Sequence, residues 1–82
     1  MSLDIEWDQK AFKFLDKLQK DIAERILDKL EAVKEDPFRY LEHYEGEGYK
    51  LRIGDYRMLV DVDFGKEIII IQVFDKRGRV YK

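Results

Sequence analysis

The first residues alternate: Leu3, Ile5 and Trp7 are separated by Asp4 and Glu6, the period of a short strand. The period then lengthens. Phe12, Leu15 and Leu18 fall on one helical stripe, which Ile22, Ile26, Leu30 and Val33 continue in phase, and Asp8 stands where its carboxylate can cap the helix start. Periodicity alone permits a single helix over about residues 9 to 35. Asp21 and Glu24, however, have the spacing of a capping box, so two helices joined by a tight turn near Gln19 and Lys20 are expected. Pro37 lacks a backbone N–H and constrains the residue before it, which ends the helical pattern and opens a polar loop, LEHYEGEGY.

From Glu47 onward the pattern is that of strands: GYKLRI, YRMLVDV, EIIIIQVF and a terminal RVYK. Gly54-Asp55 suits a primed two-residue turn, and DFGK at residues 63 to 66 suits a second hairpin. Helices followed by strands predict an α+β fold, an N-terminal helical hairpin packed on one face of a small antiparallel β-sheet. With 82 residues and no repeat or linker, residues 1–82 are expected to form a single domain with little room for a deep pocket.

These turns set a register. Ile53 opposite Tyr56 puts Arg52 opposite Arg57, and Asp63 opposite Lys66 puts Arg57 opposite Gln72. Lys50 shares the face of this polar row. The other face carries Leu51, Ile53, Met58, Val60, Ile69, Ile71 and Val73, the expected core. Like charges facing each other across strands are destabilising, although solvent screens exposed ones. A bound anion would remove the repulsion, and the planar fork of arginine fits phosphate oxygens. Side chains that splay apart, or pair with Asp55 or Asp61, would also satisfy the pattern. The Arg face further carries Leu59, Ile68, Ile70 and Phe74, more apolar surface than a small sheet leaves bare, so a cover is expected from a partner protein or from the chain's own last residues.

Charge and composition narrow the chemistry. The chain has no cysteine and a single histidine, which excludes disulfides, thiolate metal sites and histidine clusters; no cofactor is expected. No apolar run approaches the roughly 20 residues of a membrane helix and no leader pattern opens the chain, so a soluble, cytoplasmic protein is expected. Charged residues make up 41% of the sequence while Asn, Thr and Cys are absent, a bias that fits proteins from hot environments. The net charge of -2 hides an asymmetry: residues 1 to 46 hold 12 acids against 8 Lys or Arg, and residues 47 to 82 hold 6 against 8, giving -4 and +2. The final KRGRVYK carries four basic residues and no acid, so a polyanion would meet the C-terminal half, although a solvated strand end has the same composition.

The stretches KLRIGDYRMLVDV and EIIIIQVFDKRGRVYK resemble the RelE/ParE superfamily of prokaryotic toxins, in which a basic strand, a turn and a Tyr-Arg hairpin precede an apolar strand and a basic segment ending in Val-Tyr. FLDKLQKDIAERILDKLEAVKEDPF is similar to the two-helix hairpin of those proteins, so the resemblance covers nearly the whole chain. It implies a microbial-RNase-like fold and a toxin held inactive in a hetero-oligomer by a cognate, RelB-like antitoxin. RelE-like members cleave messenger RNA in the ribosomal A site, which would make the ribosome and its mRNA further partners. ParE-like members inhibit DNA gyrase and lack the RNase residues. Carried over by position, the RelE-branch residues fall on Lys50, Arg57, Arg77 and Tyr81, with Arg52 as an RNA-backbone contact and Lys76, Arg79 and Lys82 as further RNA-binding residues. The sequence departs from the pattern at Lys76, where the family frequently has histidine, and in a shortened segment around Gly78.

On this assignment an RNA 2′-OH attacks the neighbouring phosphate without a metal. Tyr81 is the candidate base; a phenol of pKa about 10 needs roughly 4 kcal/mol of differential stabilisation to reach neutrality, part of which Lys50 and Arg52 would supply. Arg57 would hold the phosphate oxygens, and Arg77 or Lys76 would steady the departing 5′ oxygen, guanidinium being a poor acid. His43, Glu45 and Glu47 read as exposed loop residues; Trp7, Phe12 and Phe14 read as core or interface; Tyr49 and Tyr56 flank the basic hairpin, where rings can stack on bases, but by alternation they point to the core.

Overall fold

The computed structural model describes residues 3–44, 46 and 48–76. Within them the chain forms β1 (Asp4–Trp7), α1 (Gln9–Lys17), α2 (Lys20–Glu35), α3 (Pro37–Tyr40), β2 (Glu42–Tyr44), β3 (Gly48–Ile53), β4 (Tyr56–Asp63) and β5 (Ile68–Lys76). The strand expected at RVYK lies outside the described residues. The five strands make one sheet in the order β1-β5-β4-β3-β2. β2 to β5 form an antiparallel meander, and the expectation of a wholly antiparallel sheet is corrected at β1, which lies parallel to β5 with Asp4 opposite Ile68 and Trp7 opposite Ile71. The helices carry the chain across the sheet between β1 and the meander, and such a crossover is what a parallel pair requires. β5 therefore has neighbours on both sides, which fits its unbroken Ile68–Ile71 run.

Asp8 caps α1 as expected, its Oδ2 accepting from the Lys10 backbone N–H at 3.1 Å. The buried arc of α1 runs through Ala11, Phe14, Leu15 and Leu18, and Phe12 is 52% exposed, contrary to expectation. At 3.6 residues per turn Phe12 lies about 60° past Leu15 on the opposite flank. Leu18 and Gln19 are extended and separate the helices, so the break falls one residue earlier than expected. The capping box does not form: Gln19 is the N-cap of α2 and makes no side-chain cap bond, while Asp21 sits in the first turn, where a carboxylate favours the helix dipole. Asp36 leaves the helical region at φ -146° and ψ 72°, as the following proline demands, and Pro37 then starts the one-turn α3. The expected loop is partly a strand, because His43 lies in β2 opposite Tyr49, although it remains exposed.

The β3–β4 hairpin matches expectation, with Ile53 opposite Tyr56 and Arg52 opposite Arg57. Gly54 has φ +57° while Asp55 stays at negative φ, the pattern of a type II′ turn. The next hairpin differs twice. Its loop is longer, so Asp63 pairs with Ile68 rather than Lys66; a shift of two preserves the faces. A bulge between Leu59 and Val60 then leaves Gln72 as the extra residue on β5, which moves the ladder by one and reverses the faces beyond it. Arg57 therefore lies opposite Asp75 instead of Gln72. Phe74 enters the core at 4% exposure, packing against Trp7, Phe14 and Tyr56, and Val73 turns outward at 39%, the reverse of the expected assignment. The remaining expected core residues of β3, β4 and β5, from Leu51 to Ile71, pack under the helices in one cluster with Ile26, Leu30 and Val33 of α2.

Candidate nucleic-acid interface

β2 pairs with β3 only as far as Lys50, which leaves the β3 edge from Leu51 to Ile53 without a β2 partner. At this edge lies a cleft of about 340 Å³ lined by Lys29, Arg39, Tyr40, Glu42, Lys50, Leu51, Arg52 and Arg57. Five basic side chains thus meet a single carboxylate. Lys50 and Glu42 are cross-strand neighbours and form an ion pair at 3.7 Å. Arg52, one pleat further along β3, is exposed.

Arg57 is the unexpected member. It faces Arg52 across the hairpin as the register requires, yet it is only 5% exposed. Its Nη1 donates to the carbonyl of Gly54 at 3.2 Å and to that of Tyr56 at 3.0 Å. A buried charge is tolerated when its donors are engaged, and these two bonds also fix the plane of the guanidinium against its own turn. On its other side the register places Asp75, an opposite charge that offsets the repulsion from Arg52. The facing arginines are therefore a pair of unequal members, one anchored and one in solvent.

Of the residues proposed from sequence, the fold brings Lys50, Arg52 and Arg57 into one cleft. Lys76 is the last residue of β5, opposite Tyr56, and does not line that cleft. Arg77, Arg79, Tyr81 and Lys82 lie outside the described residues. The fold adds Lys29, Arg39 and Tyr40. The Lys29 ammonium sits 4.4 Å from the centre of the Tyr40 ring, and the Arg39 guanidinium lies 5.9 Å from it. Their signal in the sequence is faint: Lys29 follows Ile26 by three residues and so flanks the apolar stripe of α2. Both come from the acidic half of the chain, whose -4 balance hides them. No helix among the described residues is long and apolar enough to cross a membrane.

This arrangement of helices over a five-stranded sheet is the fold of the RelE toxins. A chain of the toxin–antitoxin complex RelBE2 from Mycobacterium tuberculosis is 21% identical and superposes with a TM-score of 0.81, the match covering 94% of this chain and 100% of that one. A chain of the archaeal RelE–RelB complex from Pyrococcus horikoshii OT3 is 24% identical with a TM-score of 0.77, covering 96% and 99%. A chain of the intact E. coli RelBE toxin–antitoxin complex is 23% identical with a TM-score of 0.78, covering 95% and 100%. No curated protein sequence matches the chain. The family model described as the ParE toxin of type II toxin-antitoxin system, parDE, matches residues 5–81. The chain belongs to this ParE toxin family, within the RelE/ParE superfamily, and is a toxin of a type II toxin–antitoxin system.

Proposed function

We propose that this toxin is a metal-independent endoribonuclease that cleaves messenger RNA in the ribosomal A site and so inhibits translation. The observation that carries the reading is Arg57, a guanidinium pinned by two carbonyls in a cleft where basic side chains outnumber carboxylates five to one. Donors fixed before the reaction do not have to be reorganised as charge builds on a phosphate, which is where electrostatic catalysis is strongest. In this role Arg57 holds the non-bridging oxygens, Arg52 and Lys50 bind the RNA backbone, Tyr81 takes the 2′-OH proton, and Arg77 or Lys76 steadies the departing 5′ oxygen. Arg79 and Lys82 extend the contact to RNA. The ribosome orients the substrate, as a protein of this size needs. The site of action is the cytoplasm.

Primer extension on a reporter message in a translation extract tests the reading. Wild-type protein should cut only when ribosomes are present, and Arg57→Ala should keep its circular dichroism spectrum and lose about 10² to 10³ in cleavage rate. Cleavage by folded Arg57→Ala at the wild-type rate would refute the assignment. The family match favours a second reading, a non-enzymatic inhibitor of DNA gyrase like other ParE-type toxins. Supercoiling by purified gyrase decides it, since the absence of inhibition at stoichiometric excess removes that reading.

Under either reading the toxin has a cognate antitoxin, in keeping with the RelB–RelE complexes that share its fold. The antitoxin segment covers the outer sheet face, where Leu59, Ile68 and Ile70 are half-buried and Val73 is exposed. Apolar burial supplies its affinity, and acidic residues toward the basic cleft steer the encounter.

A further inference from the structure

The cleft has two walls. One is the sheet, with Lys50, Arg52 and Arg57; the other is helical, with Lys29 from α2 and Arg39 and Tyr40 from α3. Among the described residues no carboxylate lies within ion-pairing distance of Lys29 or Arg39, whereas Glu42 is already engaged by Lys50. The volume of about 340 Å³ is roughly ten times the share of one water, so a single phosphate against the sheet wall would leave most of the cleft unfilled. Tyr40 gives the helical wall its geometry, because its ring attracts the Lys29 ammonium at 4.4 Å and thereby limits the freedom of a long side chain.

We propose that Lys29 and Arg39 form a second phosphate-binding step, which takes the backbone of a single-stranded RNA at a nucleotide neighbouring the one held by Arg52 and Arg57, with Tyr40 as their positioning residue. This rests on the nuclease reading above and names how the strand is held beyond the scissile phosphate. Cationic groups on both walls suit an extended polyanion better than a compact one, since only a chain of phosphates reaches both at once. An acidic peptide is the other polyanion to weigh. A peptide that folds against a protein needs apolar surface for its affinity, and this cleft offers only Leu51 and the partly covered Tyr40 ring; a phosphate backbone needs none.

The test is fluorescence anisotropy with a fluorescein-labelled, 2′-O-methylated RNA octanucleotide, which binds without being cut. Lys29→Ala/Arg39→Ala should bind roughly tenfold more weakly than wild type, and the slope of log K against log salt should fall in magnitude by about 1.4, or about 0.7 for each phosphate no longer neutralised. Tyr40→Phe should bind like wild type and Tyr40→Leu should lie between the two. Thermal midpoints should be unchanged in the double variant, because Arg39 is exposed and Lys29 only half-buried. A double variant with wild-type affinity and slope overturns the proposal, as does a wild type that does not bind the octanucleotide. A glutamate-rich peptide that displaces RNA at equal charge concentration overturns the choice of ligand. The nuclease reading fails separately, in the translation extract: intact octanucleotide binding with no ribosomal cleavage would leave an RNA-binding cleft without that catalysis.

Discussion

At Gly54 the backbone takes φ +57°, and a Cβ built there would meet no atom within 4 Å. The cost of a side chain is therefore torsional alone. Gly54→Ala is expected to lose about 1 kcal/mol, which for a domain of this size lowers the thermal midpoint by about 4 to 8 °C, and Gly54→Asn should lose less because asparagine tolerates the left-handed region. Calorimetry on the two variants checks the order. This residue explains why the pairing of Arg52 with Arg57 was legible in the sequence: a two-residue turn fixes register locally, with no help from the rest of the fold. The burial of Arg57 was not legible. It arises because the side chain folds back on the carbonyls of Gly54 and Tyr56, a choice the alternation of a strand does not encode. Lys50 and Arg52 needed only the strand period, and so they fell where the sequence put them.

The bulge in the β4–β5 ladder changes what the last strand contributes to the core. In IIIIQVF almost every position is apolar, so sliding or bulging the strand exchanges one hydrophobic residue for another and the pattern gives no warning. The ring contacts of Phe74 with Trp7, Phe14 and Tyr56, at 6.0, 4.8 and 5.8 Å, favour the bulged register. Phe74→Ala should accordingly cost about 3 to 5 kcal/mol, and Val73→Ala should stay within about 0.5 kcal/mol of wild type. Urea unfolding measures both, and a larger loss at Val73 would mean an unbulged ladder. The helices show a related limit. The N-cap of α1 and the end of α2 are legible in single residues, Asp8 and Pro37, whose chemistry is local, whereas the short α3 that Pro37 starts falls where a loop is expected. The α1–α2 break was misplaced by a residue because no glycine or proline marks it, and the Asp21–Glu24 spacing offered a signal that the extended Leu18-Gln19 pair overrode.

For the whole molecule, the decisive quantity is where charge and apolar surface emerge together. The cleft draws Lys29 and Arg39 from the half of the chain that sums to -4, so counting charge along the sequence could not find it; only the packing of α2 and α3 beside the β3 edge does so. Around the corner of the sheet, Val73 stands exposed on the outer face with Leu59 and Ile70 half-buried beside it. A chain of this length is stable by roughly 4 to 12 kcal/mol, and a partner present at a hundred times its dissociation constant adds about 2.7 kcal/mol by mass action. Saturation with the cognate antitoxin should therefore raise the melting temperature by about 10 to 20 °C. Val73→Asp separates the outer face from the basic cleft in that effect. The variant should melt within about 8 °C of wild type when free, because Val73 is already 39% exposed and strand propensities span only about 1 kcal/mol, and should lose most of the antitoxin-induced rise, because a carboxylate would be buried without a partner. If Val73→Asp kept the full rise while Lys29→Ala/Arg39→Ala lost it, the antitoxin would act through the cleft by charge, and the outer face would not be the surface it covers.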